Sequence, residues 1–390
     1  MATDTDSRFV SGSVGRTPLV VAFVVAQAVA FAATYLAGRP TLYAYAVVVS
    51  TLGVAYAYES DVTAVAAIGK FAAVQVVAFV AAYVVGSTVL LVLYARPLAG
   101  VGDPFLYVLY VLVAAAGTAY VVEDGGFAVV TAAMGSVVVV ALGLPLVLFV
   151  ARQSPAAVTE KALDPSVHRV IYLGVYGPLL AALLSLLFGV PLAHLLSEGF
   201  AGQPLVESLV DLPLVVPHSV AGILILFGFG QGGAFPALSV LGTMLGMVLA
   251  MTFVSAPYAI NATREAFETI DDRLEYASRA HGASRWETFR RVTAPLAARG
   301  MVTGGVLAWA RAVSEFGAVA VVAYSVQFFY PPAGGRVTAQ HAPVFVYNTY
   351  LQGGLEESGA VAFLLLAVSG LLFLVVRSLT NDGSVSGGMP

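Results

Sequence analysis

About ten apolar runs, most near the length of a spanning helix, leave this chain few folds to choose from. They lie at 17–37, 41–57, 71–95, 104–122, 127–151, 170–196, 205–230, 235–260, 296–324 and 359–377, separated by charged or Pro/Gly-rich breaks. In hydrocarbon every backbone N–H and C=O must find an internal partner, so runs of this length form helices. The expected fold is all-α, a polytopic transmembrane helix bundle. Composition agrees, since 10% of residues are charged and 59% hydrophobic, against roughly 25% charged in a soluble domain. The second run is short, and the stretch from Val62 to Ala95 admits either one tilted helix or a hairpin. The first run is longer than a signal-peptide core and is read as a retained span.

Charge concentrates in one place. Asn261 to Val292 holds 12 of the 40 charged side chains, six arginines against six carboxylates. Balanced charge suits a protein surface better than nucleic acid, which favours a strongly basic patch. An even number of spans puts both termini on the side of this island. Its arginines, with Arg8, Arg16 and Arg377, make that side cytoplasmic under the positive-inside rule. Within the island the pattern is helix, glycine, helix. Asp271 and Asp272 favour a helix N-terminus, Gly282 allows a left-handed or close-packed turn, and Pro295 marks re-entry into the membrane. Leu274, Ala277 and His281 share one helical face, and Trp286, Phe289 and Val292 another. The simplest alternative is a cytoplasmic loop lying on its own protein.

These residues resemble the EAA loop of type I ABC-importer permeases, whose pattern is E-A-A, three residues, Gly, nine residues, Ile, one residue, Leu-Pro. The pattern is met at Ala277, Gly282, Val292 and Pro295 and departs at Tyr276, Ser278 and Ala294, with Glu275 one place early. That placement is similar to the oxyanion branch of the family. VESLVDLPLVVPHSVAGILILFGFG, WARAVSEFGAVAVVAY, ALDPSVHRV and APVFVYNTYLQGGL resemble the permease subunits of archaeal molybdate/tungstate importers, over roughly Phe127 to Thr380. The resemblance implies a six-helix core preceded by about four extra helices. Residues 1–122 are then an accessory bundle, 123–168 the first core helix and an external linker, 169–378 the transmembrane domain with a coupling loop at 263–294, and 379–390 a disordered tail. It also implies the partners: two ATPase subunits docking at Glu275, Ala277, Ser278, Gly282, Trp286, Phe289, Val292 and Pro295, an extracytoplasmic oxyanion-binding protein, and a second permease copy, in the lipid of the cell membrane.

Candidate path residues have physical readings of their own. Pro213 and Pro217 each remove a helical hydrogen bond, freeing backbone between Asp211 and Val220. Broken spans are tolerated only against protein or a water-lined cavity. Freed N–H groups and the Ser219 hydroxyl can hydrogen-bond a passing anion. A simple packed kink is the competing reading, and for His218 a satisfied bundle histidine is preferred. Arg311 and Glu315 stand four apart on one helix face. They either attract the oxyanion or form a structural bridge. The bridge is preferred, because a free arginine would hold an oxyanion too tightly for release. Ser314 and Gly317, beside the pair, complete the path candidates.

Other function classes fit less well. An ion-coupled carrier calls for acids or paired broken helices in two related halves, whereas the spans before residue 170 are almost free of ionisable groups. A membrane enzyme is disfavoured: His168, His194, His218, His281 and His341 show no H-E-x-x-H spacing, and no catalytic residue, cofactor or metal ligand is expected. Absence of cysteine excludes thiolate metal sites. The chain lacks a phosphate-binding loop, since its one Gly-Lys pair, Gly69-Lys70, is followed by Phe71. ATP hydrolysis is expected on a separate subunit. Tungstate, molybdate and sulfate are similar tetrahedral dianions that the permease sequence does not separate.

Overall fold

The computed structural model describes residues 16–59, 65–122 and 126–381. It is helical apart from loops and one two-stranded hairpin. Among the described residues, six helices are long and apolar enough to cross a membrane. Two compact units divide the chain, up to Ala151 and from Arg152.

The first unit contains α1 (Arg16–Leu36), α2 (Leu42–Glu59), α3 (Val65–Tyr94), α4 (Pro104–Val121) and α5 (Phe127–Ala151). Helix α3 is continuous, which resolves the stretch before Ala95 as one long helix from Val65. Residues 62–64 lie outside the described set. Helix α3 packs on α4 and α2 on α5, around fully buried Val48, Leu52, Leu106, Ala114 and Val129. Because α5 buries Val129 and Ala133 in this core, it belongs with the N-terminal helices, and the unit boundary falls after Ala151 instead of at 122. The unit is less apolar inside than its sequence implied. Gln75 Nε2 donates to Thr118 Oγ1 at 3.0 Å and Tyr110 OH to Gln75 Oε1 at 2.8 Å, tying α3 to α4.

The second unit begins with α6 (Pro155–Leu163) and α7 (Pro165–Glu198). Ser154 and Asp164 cap these helices, each with proline following in the first turn. The polar connection at 152–169 is therefore largely helical, where the sequence had offered only a linker. The run at 205–230 divides into α8 (Gln203–Val215) and α9 (His218–Phe229), broken at Val216–Pro217. The next run starts late, as α10 (Met244–Glu268), and carries the first residues of the charged island as its last turns. Beyond the loop helices described below, α13 (Ala294–Val313) and α14 (Gly317–Val322) share the run at 296–324. Strands β1 (Val326–Tyr330) and β2 (Gly335–Ala339) pair antiparallel. Helix α15 (Ala342–Asn381) is kinked at Gly354, where φ is 73°. Its two limbs line one apolar cavity of about 650 Å³ with α7 and α13. The first three residues of the expected disordered tail, 379–381, are the end of α15, and the rest lie outside the described residues.

Helices α7, α10 and α13 form the centre of this unit. Gly300 and Gly304, one turn apart on α13, meet α10 so closely that an added Cβ would lie 2.1 Å from Ala266 Cβ or 2.8 Å from the Ala259 carbonyl oxygen. Small residues at this spacing let two backbones approach in a membrane. The island end is closed by Ala193 and Leu196 of α7, Ile260 and Phe267 of α10, and Ala297 of α13. The opposite half packs around Leu173, Met247, Val322 and Phe328. Helix α8 meets the island end through Val206 and Val210, and α9 meets the opposite half through Ala221 and Ile225. Broken as it is, α8–α9 therefore traverses the unit.

His341 precedes α15 and is fully buried, its Nε2 3.1 Å from the Val313 carbonyl oxygen.

Candidate functional site

The break between α8 and α9 faces the break between α13 and α14. An added Cβ at Gly317 would lie 2.7 Å from His218 Cβ and 3.0 Å from Ser219 N, so only glycine fits this approach. Glu315, with no exposure, lies between the breaks. Its Oε2 accepts from Arg311 Nη2 at 2.9 Å and from His218 Nδ1 at 2.6 Å, and its Oε1 accepts from Ala318 N at 2.8 Å. Arg311 Nη2 also lies 2.7 Å from His218 Nδ1 and 2.9 Å from His218 Nε2, so the three side chains form a closed cluster. Helix rise places it about 18 Å along α13 from Arg299.

The expected Arg311–Glu315 pair is present, and His218 joins it from 97 residues earlier in the chain. His218 is thus satisfied within the bundle and is also part of the ionic cluster. Ser314 donates back to the Arg311 carbonyl at 3.0 Å. Pro217, Ser219 and Ser314 are exposed in the isolated chain, and the His218 side chain is 46% exposed. Pro213 lies inside α8, where the helix continues past it, so the break belongs to Pro217. Asp211 lies apart from the cluster, accepting from Asn261 Nδ2 at 2.8 Å near the island end.

The loop folds as helix, turn, helix. Asp271 caps α11 (Asp272–Ala280), and Gly282 at φ 89° closes it with bonds from Gly282 N to Arg279 O and from Ala283 N to Ser278 O. Those two bonds are the Schellman termination, which requires a left-handed residue at this position. Ser284 and Glu287 form a reciprocal capping box on α12 (Arg285–Thr288). The Ser284 backbone N–H and hydroxyl hold the Glu287 carboxyl below its usual range. A π-helical turn, Phe289–Thr293, then carries Val292 and leads through Pro295 into α13.

Fastening to the bundle is specific. Glu275 Oε1 accepts from Thr293 Oγ1 at 2.6 Å, Ser278 Oγ is 3.1 Å from Thr288 Oγ1, and Phe289 packs on His194 of α7 and Phe267 of α10. Beneath the loop is a polar cleft of about 340 Å³, lined in part by His194, Glu198, Asp272, Glu275, Arg279 and Arg285. The outward face is free of the protein. Helix α11 buries no residue, Leu274, Ala277 and His281 are exposed, and Tyr276 and Trp286 are 64% and 65% exposed. A loop merely lying on its own protein would bury that face.

Removing Glu315 leaves Arg311 and His218 without their common acceptor, and breaking a buried pair in this way costs about 3–5 kcal/mol. Glu315→Ala should lower thermal stability in detergent accordingly. The double reversal Arg311→Glu with Glu315→Arg should recover part of the loss, though not the cap on Ala318. Strict additivity of the single changes would contradict the pairing.

Residues 185–381 match the family model described as binding-protein-dependent transport system inner membrane component. The chain is 38% identical over 253 residues to the molybdate/tungstate transport system permease protein of Thermococcus kodakarensis, covering 64% of this chain and 94% of that protein. It is 36% identical over 242 residues to a probable molybdenum ABC transporter permease protein of Haloferax volcanii, covering 61% and 85%. A probable sulfate transport system permease protein of Chlorella vulgaris is 33% identical over a shorter 178 residues, covering 44% and 67%. With that family model spanning half of its length, and with relatives matched over most of theirs, the chain belongs to the binding-protein-dependent transport system inner membrane components.

Proposed function

We propose that this chain is the permease subunit of an ATP-driven importer of tungstate or molybdate. Two copies of the chain enclose the path, an extracytoplasmic binding protein delivers the oxyanion, and two separate ATPase subunits dock at the Gly282 loop. The observation that carries this reading is the pairing of two helix breaks within the bilayer around His218, Arg311 and Glu315. Polar groups at that depth face water or a partner. Exposed Ser219 and Ser314 therefore support a path along this face, shared with the second copy.

Glu315 occupies the position an anion would take, against Arg311, His218 and a helix N–H. With Arg311 neutralised there, the joint between the two breaks offers no isolated cation to trap an oxyanion. Closure of the ATPase subunits rocks the bundle and parts the two breaks. The N–H groups at the start of α9 and the Ser219 hydroxyl then line the passage for the dianion. Paired breaks with an acid between them also suit an ion-coupled carrier, but family membership and the outward Gly282 loop favour the ATP-driven reading. The molybdate/tungstate permease of Thermococcus kodakarensis is 38% identical to this chain, against 33% and 28% for two relatives named for sulfate, which supports the order of substrates. The loop face is cytoplasmic, with both termini on that side.

Uptake of labelled tungstate by the reconstituted complex tests this reading. Transport should require ATP and binding protein, and molybdate should compete better than sulfate. Preferred transport of sulfate would overturn the substrate assignment. No Cβ contact exists within 4 Å of Gly282, so Gly282→Arg costs only left-handed backbone strain, about 1 kcal/mol. The variant should stay folded, lose its ATPase and lose transport. Co-purification with the ATPase at normal yield would count against docking there.

A further inference from the structure

The loop's formal charge balance conceals a division between its two halves. From Arg264 to Tyr276 there are two arginines and five carboxylates, whereas from Ala277 to Thr293 there are four arginines and one carboxylate. The first half is therefore net −3 and the second net +3. Structure deepens the contrast. Most carboxylates of the first half are engaged within the chain: Glu268 pairs with Arg264, Asp271 caps α11, and Glu275 accepts from Thr293. The single carboxylate of the second half, Glu287, is held by Ser284 and feels Arg290 and Arg291 only through longer-range attraction. Among the described residues, Arg279, Arg285, Arg290 and Arg291 make no ion pair and all four are exposed, Arg279 and Arg285 at the rim of the cleft, with Arg279 Nε donating to the Glu275 carbonyl and its guanidinium over the Tyr276 ring. Trp286 stands exposed in their midst.

We infer that this basic half, Arg279 to Arg291 around Trp286, is the charge-bearing contact of the loop, and that its partner is an acidic patch bordering an apolar groove on the ATPase subunit. The inference rests on the docking role proposed above. The acidic half anchors the loop to its own bundle, and the arginines retain donors for a partner's carboxylates. Arginine fits that task because its planar fork pairs with carboxylates through two parallel bonds. Lipid headgroups are a poorer match by depth. Gly300 abuts Ala266, so Arg299 and Arg264 mark neighbouring levels on α13 and α10. Thr293 lies six residues before Arg299, about 9 Å farther from the bilayer core by helix rise. The loop therefore projects past the level at which charged side chains first meet the headgroups.

The test uses the full-length permease in nanodiscs, its purified ATPase partner from the same organism, and separately phosphatidylglycerol vesicles. Wild-type affinity for the ATPase should fall as salt rises. The triple variant Arg285→Glu, Arg290→Glu, Arg291→Glu should bind roughly tenfold or more weakly, chiefly through slower association. The milder triple glutamine variant, checked for an unchanged melting temperature, should show a smaller loss in the same direction. Glu265→Arg, an exposed change in the acidic half, should leave affinity within about twofold. Wild-type binding that is indifferent to salt and to all three reversals would overturn the charge assignment while leaving the docking role intact. Loss of vesicle binding with unchanged ATPase binding would overturn it in favour of a lipid contact. Failure of the wild-type permease to bind the ATPase at all would overturn both this inference and the docking role beneath it.

Discussion

A helix cannot be broken inside a bilayer without partners for what the break exposes, and here the buried carboxylate of Glu315 supplies them. One oxygen caps the start of α14 at Ala318, and the other accepts from both Arg311 and His218. Without that carboxylate, α14 would lose its cap and two donors would be left in a medium of low dielectric. With it, α9 and α14 begin beside each other, and Gly317 lets the backbones touch. The same group thus permits both discontinuities and joins them. In the proposed cycle, the joint that makes the breaks tolerable is also the joint that opens.

The loop has the complementary character. Its inward side is locked by local chemistry: a capping box, a Schellman turn, the Glu275–Thr293 bond and the aromatic contact of Phe289 with His194 and Phe267. Its outward side carries Tyr276, Trp286 and unpaired arginines. Under the docking proposed above, a loop stiff toward its own helices passes displacement to α7, α10 and α13, the three helices that form the centre of the unit.

Much of this was legible in the sequence because the signals are local. Apolar runs announced the helices, Asp271, Gly282 and Pro295 announced the loop, and the four-residue spacing of Arg311 and Glu315 announced their pair. What escaped reading depends on distance in the chain. His218 meets Glu315 across 97 positions, and no spacing rule reaches that far. Helix α5 looks like any other apolar run, and only its packing on α2 and α4 assigns it to the N-terminal unit. The break at 314–316 was hidden because the polar dip at Arg311, Ser314 and Glu315 reads equally well as an ion pair on one continuous helix. The β1–β2 hairpin was missed since Val326–Tyr330 continues the apolar character of the preceding helix, while Gly334, its left-handed turn residue, was the available clue.

In the proposed cycle the two helix breaks joined at Glu315 part during transport. Spin labels at Ser219 and Ser314, both exposed and on opposite sides of the joint, report this directly by pulsed electron resonance in the reconstituted complex. The inter-label distance should be longer when the ATPase is trapped in its closed, nucleotide-bound state than in the resting state. Identical distance distributions in the two states, in a labelled complex that still transports, would contradict it.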